Sequence, residues 1–261
     1  MIIERQGAQI FAVEKGSKDG PPIVFANSLG TDLSLWDQVI EALPSTFRII
    51  LFDLRGHGAS PVPDTVFTMD DLVTDAESVM EHFQITEAAF VGLSIGGMIA
   101  QGLAYKRPDL VKVAILSNTA AKIGSAEMWE ERIEAIEAAG LDSIADSVME
   151  RWFGEEFRAS GNVAKWHRML IETSVEGYVG CCRAIAGADL ANTTCELRLP
   201  VLGIAGSSDL STPPDLVANT IVMIPRARLE VVAGAGHLPC VEQPEKFARF
   251  VLEFLETTKY V

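Results

Sequence analysis

A serine lies in a segment whose residue types fit nucleophilic catalysis. Residues Gly92–Gly96 have the form G-x-S-x-G with Ser94 at the centre; a short apolar run precedes them and a helical pattern follows. A sharp turn between a strand and a helix needs glycines because larger side chains would collide with the crowded backbone. Such a turn exposes the serine hydroxyl at the end of the strand. Ser94 is therefore a candidate nucleophile, although the segment by itself also fits a simple turn.

Two further residues supply what a serine nucleophile needs. A serine hydroxyl requires a general base, and the base requires a carboxylate that orients it. Asp209 follows the apolar run Val201–Ala205, and His237 follows the run Leu229–Val232. The order serine, aspartate, histidine along the chain matches one of the known arrangements of such triads. We therefore predict that Ser94, Asp209 and His237 form a catalytic triad for acyl transfer.

Acyl transfer also requires donors for the oxyanion that forms on the attacked carbonyl group, and backbone amides are suited to this role. One candidate is the amide of Ile95, which directly follows the nucleophile. The second is the amide of Leu29, in the loop Asn27–Gly30 after the apolar run Ile23–Ala26. Ordinary turn chemistry also explains Asn and Ser in such a loop, and the two roles are compatible.

Short apolar runs and helical patterns alternate along the chain and would position these residues. Each run is too short for a helix and is bounded by turn residues, which is typical of a buried strand. The predicted strands are Ile23–Ala26, Arg48–Phe52, Ala89–Gly92, Val113–Ser117, Val201–Ala205 and Leu229–Val232. Helical patterns such as Asp70–Phe83 and Ile95–Tyr105 separate them. This alternation predicts an α/β fold with a mostly parallel, doubly wound sheet, and Ile2–Val13, with Gly7 near its middle, predicts an antiparallel hairpin at the sheet edge.

One long stretch interrupts the alternation. Residues 122–190 contain no good strand and read as helical, rich in Glu, Trp and Met. We predict a helical cap inserted into a single core domain, which gives a first core part at residues 1–121, the cap at 122–190 and a second core part at 191–261.

The charge balance limits the partners. The 261 residues contain 21 Lys and Arg against 36 Asp and Glu, a net charge of −15. Nucleic acids and anionic membranes attract basic proteins, so we expect neither as a partner. No apolar run approaches the ~18 residues of a membrane span, and the N-terminus lacks the pattern of a signal peptide. We expect a cytoplasmic protein whose four cysteines (Cys181, Cys182, Cys195 and Cys240) are free thiols. The four scattered histidines predict no metal site.

Several segments resemble the α/β-hydrolase superfamily and, within it, the 3-oxoadipate enol-lactonases. The similar segments are 27–36, 91–97, 116–125 followed by Trp129 and Arg132, and 176–190. The first and third are the more specific to the enol-lactonases, whereas the nucleophile turn is widely shared. Many superfamily members have His-Gly where this chain has Asn27-Ser28. This difference leaves the predicted Leu29 amide in place.

The resemblance implies a serine hydrolase that opens 3-oxoadipate enol-lactone to 3-oxoadipate through an acyl-enzyme, in the catabolism of protocatechuate and catechol. It implies no cofactor and no metal. The substrate carries an anionic acetate arm, for which Arg132 with Trp129 is the first candidate binding site and Trp152, beside Arg151, the second. The alternative is that the arginines are solvated helix residues in ion pairs and the tryptophans form the core of the cap.

Other functions fit the same triad. A broader carboxylesterase or a C–C bond hydrolase would use the same three residues, so only the enol-lactonase-like segments favour the lactone. A non-catalytic receptor for a small ligand, built on the same fold, is a more distant alternative. The sequence leaves the oligomeric state open, a homo-oligomer included.

Overall fold

The computed structural model describes residues 1–5 and 7–261. The strands are β1 (Ile2–Arg5), β2 (Ala8–Gly16), β3 (Pro22–Ala26), β4 (Arg48–Phe52), β5 (Ala88–Leu93), β6 (Val111–Ser117), β7 (Val201–Gly206) and β8 (Arg228–Val232). The helices are α1 (Asp37–Ala42), α2 (Met69–His82), α3 (Ile95–Lys106), α4 (Ala126–Ala139), α5 (Asp142–Trp152), α6 (Glu155–Ala159), α7 (Ala164–Glu172), α8 (Val175–Ala186), α9 (Ala191–Thr194), α10 (Pro214–Ile221), α11 (Pro239–Glu242) and α12 (Pro244–Thr257).

These strands form one sheet in the order β1-β2-β4-β3-β5-β6-β7-β8. The pairs from β4 through β8 are parallel, whereas β1–β2 and β2–β4 are antiparallel. The predicted α/β class with a mostly parallel, doubly wound sheet is therefore confirmed. Each predicted strand lies within two residues of the observed bounds. Central strands such as β5 are buried along their whole length, which explains why they read as continuous apolar runs.

The N-terminal hairpin differs in one respect from its prediction. Strands β1 and β2 pair antiparallel as expected, and the turn contains Gly7 at φ 80°, whereas Gln6 lies outside the described residues. However, β2 continues to Gly16 because its second half pairs with β4. Of the two hairpin strands, only β1 therefore lies at an edge of the sheet, and β2 belongs to its interior.

Helices α4 to α9 all lie between β6 and β7. Helix α4 packs against α8 and α5, and α5 also packs against α7. Their buried faces carry large side chains, including Trp129, Trp152 and Trp166. The division of the chain at residues 121 and 190 remains a prediction. Within the described residues, no helix is both long enough and apolar enough to cross a membrane.

A buried ion pair joins the loop after β4 to helix α2. Arg55 Nη2 donates to Asp75 Oδ1 at 2.8 Å, and both side chains are 2% exposed. Arg5 of β1 approaches the same carboxylate at 3.0 Å, and the Arg55 guanidinium lies 5.2 Å from the centre of the Phe67 ring. The pair joins the loop after β4 to α2, and Gly56 of the same loop lies against Gly177 of α8.

Replacing Arg55 by Ala should lower the free energy of unfolding by about 3–5 kcal/mol, because Asp75 would be left charged and buried without its main partner. Chemical denaturation measures this loss. The matched control is Lys122→Ala, which breaks a pair with Asp189 whose side chains are more than half exposed. This control should lose less than about 1 kcal/mol, and equal losses in the two variants would contradict the assignment.

Candidate active site

Ser94 occupies a sharp turn between β5 and α3. Its backbone has φ 58° and ψ −117°, a conformation that residues with side chains rarely adopt. A Cβ atom on Gly92 would lie 2.1 Å from the carbonyl oxygen of Gly96, and one on Gly96 would lie 2.3 Å from that of Ala26. The glycines on either side of the serine are therefore required by backbone contacts. The turn places Ser94 at the N-terminus of α3, as the G-x-S-x-G pattern predicts.

Asp209 and His237 meet at the ends of β7 and β8. The distance from His237 Nδ1 to Asp209 Oδ2 is 2.8 Å, and each residue is 2% exposed. Because the carboxylate can only accept while ionised, Nδ1 carries the proton and Nε2 is free to act as a base. The structure thus brings together two of the three predicted triad residues by a direct hydrogen bond.

The Asp209 carboxylate receives an unusual number of donors for a buried group. Oδ1 accepts from the amides of Ser211 and Thr212 at 2.7 and 3.0 Å. Oδ2 accepts from Thr212 Oγ1 and Asn118 Nδ2, each at 2.8 Å, besides His237. Burial opposes ionisation, but His237, Asn118 and Thr212 outweigh it and hold the pKa of Asp209 below its ordinary value. Asp209 therefore stays charged beside the imidazole ring.

A small cavity of about 130 Å³ joins the predicted residues. Its walls include Leu29, Ser94, Trp129, Arg132, Trp152 and His237. Met128 and Leu210 also line it while being 44% and 65% exposed, so they border its opening. Four larger open grooves, of about 840, 660, 520 and 190 Å³, contain none of the predicted site residues.

Ser94 and His237 share this cavity without direct contact. In the part of the chain that the structure describes, Ser94 and His237 form no hydrogen bond with each other. Contacts of this kind are often long before substrate binds. The triad roles of Ser94, Asp209 and His237 therefore remain a prediction, supported by the shared cavity and by the bond between Asp209 and His237.

The loop that carries Leu29 is held by a buried asparagine. Asn27 Nδ2 donates to the carbonyl oxygen of Phe52 at 3.0 Å, and Trp36 Nε1 donates to Asn27 Oδ1 at 2.9 Å. This gives a physical role to the residue that differs from the common superfamily pattern. Among the described residues, neither the Leu29 amide nor the Ile95 amide forms a hydrogen bond. Both amides are available as donors, and their oxyanion role remains a prediction.

One wall of the cavity is cationic. Arg132 Nη2 donates to Tyr178 Oη at 2.7 Å, and the guanidinium lies 5.5 Å from the Trp129 ring and 5.7 Å from the Tyr178 ring. Its Nε is buried and has no partner within the described residues. Arg151 lines the same cavity, and burial followed by repulsion from Arg132 lowers the pKa of Arg151. No carboxylate lies among the cavity's described lining residues, so the wall is open to an anion.

Three residues near the site were missed by sequence reasoning: Asn118, Thr212 and Tyr178. Asn118 directly follows β6 and has φ 47°. Its side-chain Nδ2 also lies 3.3 Å from the carbonyl oxygen of Gly236. Its position after a strand, in the same place as Ser94 and Asp209, is a signal that could have identified it. Thr212 and Tyr178 follow no such pattern. The described residues contain no cluster of three or more side chains suited to a metal ion.

The parallel sheet, the strained serine turn and the histidine–aspartate pair define the class of this protein as an α/β hydrolase. The chain belongs to the family described as alpha/beta hydrolase fold, whose model matches residues 21–244.

Two relatives of similar sequence and one solved structure of similar fold carry the name enol-lactonase. The chain is 39% identical over 237 residues to 3-oxoadipate enol-lactonase 2 of Acinetobacter baylyi, covering 89% of this chain and 87% of the relative. It is 36% identical to 3-oxoadipate enol-lactonase 1 of the same organism, covering 98% and 97%. Among solved structures, the enol-lactonase from Burkholderia xenovorans LB400 superposes with a TM-score of 0.92 at 34% identity, covering 96% of this chain and 97% of that one.

Replacing Asn118 by Gly should lower kcat/KM for a p-nitrophenyl ester about tenfold, because Asp209 loses a donor and His237 loses its fixed partner. Glycine accepts the positive φ, so the fold is preserved. The lost donor also raises the pKa of Asp209, so the deficit should be greater on the acid side of the pH–rate profile. Asn192→Ala, an exposed asparagine on α9, is the control. An unchanged profile in Asn118→Gly would refute this role.

Proposed function

We propose that this protein is a serine hydrolase that opens 3-oxoadipate enol-lactone to 3-oxoadipate in the breakdown of aromatic compounds. The observation that carries the proposal is the small cavity, in which Ser94 and His237 face a wall formed by Arg132 and Arg151 without any carboxylate among the described lining residues. A small anionic ester fits these walls in charge and size. The identity to enol-lactonases over almost the whole chain supports the same substrate.

The first half of the reaction forms an acyl-enzyme. His237 Nε2 removes the proton from Ser94 as Oγ attacks the lactone carbonyl carbon. Asp209 holds the ring in the required tautomer and stabilises the imidazolium that forms. The amides of Leu29 and Ile95 donate to the oxyanion, and one such donor is typically worth about 3–4 kcal/mol of the barrier. No cofactor or metal takes part in these steps.

The leaving group makes this step favourable. Collapse of the tetrahedral intermediate breaks the bond between the carbonyl carbon and the ring oxygen and expels an enolate. An enolate is a better leaving group than a simple alkoxide. His237 returns the proton, and the enol tautomerises to the ketone. A water molecule, activated by His237, then attacks the acyl-enzyme and releases 3-oxoadipate with Ser94 restored.

The acetate arm of the substrate is proposed to bind at Arg132. The guanidinium is held in place by Tyr178 and by the Trp129 ring, so little side-chain entropy is lost when an anion arrives. Its buried, unpartnered Nε is a donor that a carboxylate would satisfy. Arg151 adds a second positive charge, and Trp152 supplies a flat apolar wall for the ring.

The cysteines bear on the compartment that we expect for this protein. Cys195 is an exposed free thiol, and Cys181, Cys182 and Cys240 are buried free thiols. Free thiols of this kind fit a reducing cytoplasm. The proposed partner is the small anionic lactone.

A comparison of substrates tests the proposal. Purified protein should hydrolyse 3-oxoadipate enol-lactone with a kcat/KM at least about a hundredfold above that for p-nitrophenyl acetate. The loss of ultraviolet absorbance of the lactone measures this reaction. Ser94→Ala should lose at least about 10³-fold of this activity while keeping its circular dichroism spectrum. Higher activity on the simple ester would point to a carboxylesterase. Full activity of Ser94→Ala would overturn the mechanism.

The carboxylate site has its own test. Arg132→Ala should lower kcat/KM for the enol-lactone about tenfold to a hundredfold, mainly through KM, because a charged hydrogen bond to the acetate arm is lost. Hydrolysis of neutral p-nitrophenyl acetate should change much less. The control is Arg183→Ala on the outer face of α8, which pairs with exposed Glu137. An unchanged KM in Arg132→Ala would remove this residue from the site.

A further inference from the structure

The loop that carries His237 lies against the segment between α5 and α6, in the predicted cap. The amide of Leu238 donates to the carbonyl oxygen of Trp152 at 3.1 Å. A Cβ atom on Gly236 would lie 2.7 Å from the same Trp152 oxygen, and a Cβ on Gly154 would lie 2.0 Å from the carbonyl oxygen of Gly234. The two backbones therefore run side by side with no room for side chains between them.

One carboxylate accepts hydrogen bonds from both of these segments. Glu242, at the end of α11, accepts from the Gly236 amide through Oε1 at 2.6 Å and from the Gly154 amide through Oε2 at 3.0 Å. Each oxygen thus serves a different segment. Gly236 directly precedes His237, and Gly154 lies two residues after Trp152, which lines the cavity together with Arg151.

We propose that Glu242 is a positioning residue that fixes His237 relative to the cap segment carrying Arg151 and Trp152. The general base and the cationic wall are then held at one fixed separation, which the lactone carbonyl and the acetate arm must match. This inference rests on the roles proposed above for Ser94 and His237. It assigns Glu242 no contact with substrate.

The ionisation of Glu242 gives this contact a pH dependence. Burial raises the pKa of Glu242 to about 7, although the amides of Gly236 and Gly154 work in the opposite direction. Of the charged groups that face it, Asp209 also raises the pKa and Arg158 lowers it. Protonation turns one oxygen into a donor, so one of the two amides loses its acceptor. Both backbone hydrogen bonds to Glu242 are therefore present together only above about pH 7.

The same shift predicts the effect on stability. Because the pKa of Glu242 is raised on folding, its contribution to stability is present at low pH and is lost as pH rises through about 7. A variant without the charge should therefore be at least as stable as the wild type at pH 8, even though its active site is less well ordered.

The experiment compares Glu242→Gln with the wild type and with Glu245→Gln, a matched change at an exposed position on α12. The probe is a fluorophosphonate, which forms a Ser94 Oγ–phosphorus bond and releases fluoride while His237 takes the serine proton. Its rate reports the nucleophile and base without depending on any particular substrate. Rates are measured at pH 6 and pH 8, together with denaturation at both pH values and kcat and KM for the enol-lactone.

At pH 8, Glu242→Gln should react about tenfold more slowly than the wild type, because its amide group can accept only one of the two backbone hydrogen bonds. The difference should shrink at pH 6, where wild-type Glu242 is protonated. Glu245→Gln should match the wild type throughout. The enol-lactone kcat should fall more than KM rises.

Three results would overturn the inference. If the wild type reacts and Glu242→Gln reacts equally fast at pH 8, Glu242 does not position His237, while the proposed hydrolase stands. If the variant is slower at both pH values by the same factor and is also less stable at both, its role is structural. If the wild type itself does not react with the probe, the proposed serine chemistry fails and this inference fails with it.

Discussion

The close approach of three backbone segments at Ser94 is the constraint on which the active site depends. Gly96 lies so near the Ala26 carbonyl that the end of β3, the end of β5 and the start of α3 form one rigid unit. That unit fixes Ser94 and the Ile95 amide, and through Asn27 it also fixes the loop that carries Leu29. The positive φ of Ser94 persists because the surrounding contacts leave no alternative. Donors held in this way need no reorganisation when charge develops on the substrate.

Charge is arranged locally in a protein whose overall field opposes its proposed substrate. The net charge of −15 repels an anion at long range, and salt screens such repulsion over roughly 10 Å. Within the cavity the balance is reversed, because Arg132 and Arg151 face it while the buried Asp209 is engaged by its own donors. Burial and, after it, the charge of Arg132 lower the pKa of Arg151, and an anionic ligand between the two arginines would offset both effects. Binding therefore depends on short-range pairing.

The sequence predicted those parts of the site that follow from regular structure. Ser94, Asp209 and His237 each follow an apolar run, and parallel strands end at one edge, so their proximity could be foreseen. Asn118 could have been identified from its position directly after β6, but Thr212 could not, because a side chain that donates to Asp209 leaves no periodic pattern. Arg55 and Asp75 were missed as a pair for a related reason, since charged residues in a sequence usually indicate a solvated surface. The continuation of β2 into the sheet depends on pairing with β4, which is remote in sequence.

The connection between the His237 loop and the segment between α5 and α6 explains why a carboxylate is present at position 242. Two backbone N–H groups, from Gly236 and Gly154, point at one side chain from two segments that are distant in sequence. Only a carboxylate offers an acceptor oxygen to each of them, whereas an amide offers one oxygen and a hydroxyl offers a single atom. The raised pKa of Glu242 shows that burying this charge opposes folding at neutral pH. A group that costs stability and joins the loop of His237 to the segment that carries Trp152 is explained by the geometry that it maintains.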